Sequence, residues 1–165
     1  MNQQEKNEIN GEKLQTLLER NYDAREGFKQ AMEDTHNHDL KRFLFAKAIQ
    51  RGEFIAELEN QLDSLHEKAQ KEGTISGTVH RAWIDLKTTL AGKEDVEVLE
   101  ECLRGEKVIL EEYQETLKKE NFPGELAAVL QKQMLEIQKT LDEIKSLEDL
   151  EERKWDADKA FSSKI

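Results

Sequence analysis

Apolar residues along the chain return in steps of three and four, the period of a helix that buries one stripe. In the first such stretch Leu14, Leu17, Asn21, Ala24, Phe28 and Ala31 alternate those steps, with Leu18 and Met32 widening the stripe. That alternation is the seam of a left-handed bundle. After the polar turn THNHD a second helix is predicted from about Leu40 to Ala69, with Leu44, Ala48, Arg51, Ile55, Leu58, Leu62 and Leu65 inward. Roughly 30 residues at about 1.5 Å each make it about 45 Å long, which suits a bundle. A third helix, from about Glu94 to Lys119, has the stripe Leu99, Cys102, Glu106, Ile109, Tyr113 and Leu117. The string NFPG breaks it. Pro123, with no N–H to satisfy, opens a fourth helix whose seam is Leu130, Met134, Ile137, Leu141, Ile144 and Leu147. Residues 1–10 have no apolar period and read as a disordered arm, so the bundle is expected over 11–149. Residues 150–165 read as a charged tail in which Trp155 and Phe161 are the only large apolar rings.

The connection between the second and third helices decides the topology. From Gly73 to Lys93 it is too long and too apolar for a turn, and Val79, Trp83, Leu86 and Leu90 repeat at helical spacing, so it carries a short helix of its own. Helices joined by short turns run antiparallel, whereas a long crossover lets its two neighbours run parallel. The expected fold is therefore all-α, a ferritin-like four-helix bundle with a long crossover between the second and third helices.

Composition agrees. Among 165 residues there is one proline, eight glycines and 37 % charged residues, too few β-branched and aromatic side chains for sheets. The net charge of -11, with Lys and Arg interspersed among Glu along the helices, argues against nucleic acid and for solvated helix faces. No apolar run reaches the length of a membrane span, and the start MNQQEKNEIN lacks signal-peptide features, which makes a cytoplasmic location the expectation. Cys102 is alone, so no intrachain disulfide can form.

The chemistry-bearing residues are few. Glu106 stands mid-seam among Cys102, Ile109 and Tyr113, and a buried carboxylate must be paired, hydrogen-bonded or ligated. Arg51 breaks the seam of the second helix at comparable depth and is the natural partner, so a structural ion pair is favoured over a metal ligand. A di-metal carboxylate bundle needs a Glu from each of two helices and a Glu-x-x-His from each of the other two. Here Glu57 is followed three residues later by Asn60 and Glu136 by Lys139, and the third and fourth helices contain no His. Glu33 and His36, beside His38, fall in the first turn, where a solvated turn is favoured over a surface Zn²⁺ site. In the crossover, Arg81 and Asp85 read as a surface pair around a packed Trp83; the functional alternative is a partner-binding face built on Trp83, His80 and Arg81.

At these residues the chain resembles a bacterial family of ferritin-like four-helix bundles without an assigned function. The likeness covers roughly Leu14 to Leu147. It rests on Glu26–Gly27–Phe28, Arg51 with Phe54 and Glu57–Leu58, Gly77 with His80–Arg81–Ala82–Trp83 and Asp85–Leu86–Lys87, Cys102 with Arg104–Gly105–Glu106, and Gln133. The resemblance implies the bundle fold and a relation to ferritins. A His associated with the family's fourth helix is missing here, where Thr140 and Leu141 stand. The function expected from all this is a non-enzymatic bundle, structural or stress-associated, forming a homo-oligomer with a dimer as the simplest case and needing no cofactor. The alternative is an iron- or manganese-binding protein with oxidase or storage activity, its metal held by Glu26, Glu57, Glu106 and Glu136.

Overall fold

The computed structural model describes residues 1–67 and 94–162, and these form four helices with no strand among them. They are α1 (Gln3–Asp34), α2 (His38–Ser64), α3 (Asp95–Lys119) and α4 (Gly124–Ser162). The crossover expected over 73–93, with Val79, His80, Arg81, Trp83, Leu86 and Leu90, lies outside the described residues.

Helix α1 begins well ahead of the expected boundary, so the irregular arm predicted over residues 1–10 is helical from Gln3 onward. A capping box explains the early start. The Asn2 side chain accepts from the Glu5 N–H at 2.8 Å, and the Glu5 carboxylate accepts from the Asn2 N–H at 2.9 Å. The extension also packs, since Asn10 and Gly11 are buried and a Cβ on Gly11 would stand 2.7 Å from Glu67 Cγ. The turn Thr35–Asn37 then reverses the chain. Asn37 caps α2 by accepting from the N–H groups of Asp39 and Leu40, while Asp95 at the start of α3 accepts from the N–H groups of His36 and Asn37 at 2.8 and 3.1 Å.

Helix α2 stops at Ser64, five residues before the predicted Ala69. His66 has φ 59°, its N–H donates to Asp63 O at 3.0 Å, and the Glu67 N–H donates to Leu62 O at 3.0 Å. That pair of bonds is a Schellman cap with a histidine where glycine is usual. A left-handed backbone costs a residue with a Cβ on the order of 1 kcal/mol. His66→Gly is therefore expected to raise the unfolding free energy by about 0.5–1 kcal/mol in urea denaturation. A loss of stability would show that the imidazole makes a compensating contact.

Three pairings fix how the helices lie. α1 meets α3 through Arg20 with Glu112 and through His36 with Asp95, so residue numbers rise on one as they fall on the other. α2 meets α4 through Lys47 with Glu143, Gln50 with Thr140 and Glu57 with Gln133, again in falling order. α1 and α2 are joined by the short turn and linked by Tyr22 with Glu59. Each of these pairs is antiparallel.

Along α1 the seam Leu14, Leu17, Asn21, Ala24, Phe28 and Ala31 is fully buried, and the predicted stripes of α2 and α3 are buried except at their last members, Leu65 and Leu117, which are half-buried. α4 differs. Its buried line is Leu130, Gln133, Ile137, Thr140 and Ile144, whereas Met134 and Leu141 are only half-buried flanks. α4 also continues as a helix through the charged tail to Ser162, and the Phe161 ring is exposed. None of the described helices is long and apolar enough to cross a membrane.

Candidate functional site: a buried polar layer

The interior is not uniformly apolar. α2 delivers Arg51 and α3 delivers Glu106 to the same depth, because each sits on its helix's buried stripe. Arg51 Nη1 donates to Glu106 Oε1 at 2.8 Å and Nη2 donates to Oε2 at 2.5 Å, a two-pronged match of planar fork to carboxylate. Both side chains have 0 % exposure. Phe28 and Phe54 place their rings 5.4 Å from Arg51 Cζ, so the guanidinium also lies within range of two aromatic faces. Arg51 Nε has no hydrogen-bond partner among the described residues.

Two turns along α3 a second polar chain links all four helices. Asn21 of α1 donates through Nδ2 to Leu17 O and to the Tyr113 hydroxyl, both at 2.8 Å. Tyr113 of α3 donates to Gln133 Oε1 of α4 at 2.7 Å. Gln133 Nε2 reaches Phe54 O at 3.4 Å and Glu57 Oε1 at 3.5 Å on α2. The hydroxyl of Thr140 donates back to Glu136 O at 2.9 Å and approaches Gln50 Oε1 at 3.4 Å. Each of these polar side chains has at least one protein partner, although Asn21 Oδ1, like Arg51 Nε, has none among the described residues.

Burial governs the titratable groups here. It pushes the Tyr113 phenol well above its ordinary value of 10.0, opposed in part by the Asn21 hydrogen bond and the positive charge of Arg51. Burial likewise raises the Cys102 thiol far above its ordinary 9.0, with the negative charges of Glu106 and Glu101 adding to it. A thiol held protonated in this way is a poor nucleophile and a poor metal ligand. Groups raised in the folded state stabilise it below their unfolded values and lose that contribution as pH rises past them. Unfolding free energy is accordingly expected to fall from about pH 9 upward. Tyr113→Phe should flatten the part of that fall above about pH 10; an unchanged alkaline profile would show that Tyr113 is not responsible.

The four carboxylates considered as metal ligands are not brought together. Glu106 is taken by Arg51, Glu57 is half-buried beside Gln133, and Glu136 is half-buried one turn before Thr140. Glu26 lies on the surface, 3.7 Å from Arg25 and 3.4 Å from Lys29. Among the described residues one group of three or more potential ligands closes to within 4.8 Å, Glu100, Glu148 and Glu152, at the α3–α4 surface. Crowding shows at Glu148, whose carboxyl is raised first by burial and then by Glu100, Glu152 and Asp149, against Lys107. The turn residues Glu33, His36 and His38 form no such group. Asn21, Tyr113 and Gln133 are the members of the polar layer whose role the pattern of apolar residues did not reveal. A signal was present, since Gln133 stands three after Leu130 and four before Ile137, in step with the buried line.

A comparison with functionally characterised proteins finds no match. A family model matches residues 10–119, which reach from the first third of α1 to the last residue of α3 and so include Asn21, Arg51, Glu57, Glu106 and Tyr113. The chain belongs to the family described as Domain of unknown function (DUF2383).

Proposed function

We propose that this protein is a non-enzymatic, ferritin-like four-helix bundle whose interior charges hold the helices in register. The observation that carries the reading is Arg51. Where a metal-binding bundle would point several carboxylates at a divalent cation, α2 points a guanidinium instead, and its fork engages both oxygens of Glu106. A permanent positive charge at that position repels a metal ion and leaves the carboxylate no oxygen unengaged. The ferritin-like arrangement is supported by the helix directions. α1 is antiparallel to both α2 and α3, so α2 and α3 share a direction, and Glu67 and Glu94 lie toward opposite ends of the bundle. A connection between parallel neighbours has to travel the bundle's length.

Metal content is the test. Protein purified without chelator and incubated aerobically with Fe²⁺, or with Mn²⁺, is expected to retain well under one ion per chain after desalting. Near-stoichiometric metal that Glu106→Ala or Glu57→Ala removes would overturn the proposal in favour of a metal-binding or metal-oxidising bundle.

A further inference from the structure

Helix α2 carries a second stripe on the side away from the core. Phe45, Ile49, Gly52 and Ala56 recur at steps of four, three and four, and Phe45 and Ile49 remain 53 % and 50 % exposed. Ala56 is exposed too, and a Cβ built on Gly52 would meet nothing within 4 Å. A mid-helix glycine facing open space costs on the order of 1 kcal/mol relative to alanine, and nothing in the described chain uses the room it leaves.

Size and charge are both graded along this face. The large residues, Phe45 and Ile49, occupy the N-terminal half of α2 and the small ones, Gly52 and Ala56, the C-terminal half. Lys41 and Arg42 flank the first half, Arg42 being paired with Asp39 of its own first turn, whereas from Gly52 to Ser64 the helix has Glu53, Glu57, Glu59 and Asp63 and no basic residue. A helix graded in this way is complementary to itself when turned end for end.

We propose that α2 is the contact for a second copy of this chain, the two α2 helices packing antiparallel about a two-fold axis between Ile49 and Gly52. Phe45 of one copy then sits over Ala56 of the other, Ile49 over Gly52, and Arg42 comes alongside Asn60 and Asp63. The charge grading offsets the repulsion between two chains of net charge -11. A single helix pair is smaller than a standard interface, so the dimer forms in a concentration-dependent way.

Light scattering or sedimentation of the full chain from about 5 µM to about 500 µM reads this directly. The wild-type mass is expected to rise from one chain to two, and Phe45→Glu, a change at an exposed position, should keep the helical circular dichroism and remain monomeric throughout. Orientation is read by cross-linking, for which the buried Cys102 is no competitor. A Phe45→Cys chain mixed with an Ala56→Cys chain should form a disulfide-linked heterodimer. Phe45→Cys alone should not, its two sites being roughly 16 Å apart along the antiparallel pair. A wild-type chain monomeric at every concentration overturns the proposal and leaves the stripe to another protein or to residues 68–93 of the same chain. A dimer that Phe45→Glu does not weaken overturns it in favour of a different surface, and efficient cross-linking by Phe45→Cys alone overturns the antiparallel geometry.

Discussion

Glu106→Ala is expected to lower the unfolding free energy by about 3–5 kcal/mol, because it leaves the Arg51 guanidinium buried with neither counter-charge nor acceptor. The side chain has no escape to water, since both partners have 0 % exposure and Phe28 and Phe54 flank the guanidinium. Glu106→Gln keeps one acceptor oxygen at nearly the same volume and should cost less. Chemical denaturation of the two variants side by side checks the ordering. Equal and small losses would mean that Arg51 finds another partner or reaches solvent.

The converse change, Arg51→Met, has a loss of comparable size and a pH dependence that identifies its cause. Methionine fills most of the volume but leaves the Glu106 carboxylate alone in an apolar site, which pushes its folded-state value above the unfolded carboxylate's ordinary value of about 4.3. A group raised in the folded state contributes its stability below the unfolded value and loses it as pH rises through the folded one. Arg51→Met should therefore lie closest to wild type in acid and fall further behind as pH rises above about 4.3, measured by urea denaturation at each pH. A deficit that is constant with pH would show that the loss is one of packing alone.

The residues that made this pair predictable are those that break a strong pattern. Arg51 and Glu106 each interrupt an otherwise apolar stripe, and a charge at such a place has few ways to survive except by meeting its opposite. The seam of α1 was legible for the same reason, since six residues in strict alternation leave one face to bury. α4 was not, because two adjacent lines compete there: Met134 and Leu141 are the more apolar choice, yet Gln133 and Thr140 take the inner positions. Hydrogen bonding decides between them. Gln133 turns inward where Tyr113 offers a hydroxyl and α2 offers the Phe54 carbonyl, and no single-helix pattern contains those partners. The helix ends escaped for local reasons: Asn2 and Glu5 start α1 by capping rather than by any apolar period, and His66 ends α2 by adopting a left-handed backbone that its side chain does not announce.

The double variant Arg51→Met, Glu106→Leu tests the structural role of the buried pair most directly. If the pair serves only to hold the bundle in register, removing both charges at similar volume restores what either single change loses. Its unfolding free energy in urea should then return to within about 1 kcal/mol of wild type, or exceed it, as replaced buried ion pairs often do. A double variant no more stable than Arg51→Met alone would contradict the account, because the polar layer would then be held by something other than the pairing of these two side chains.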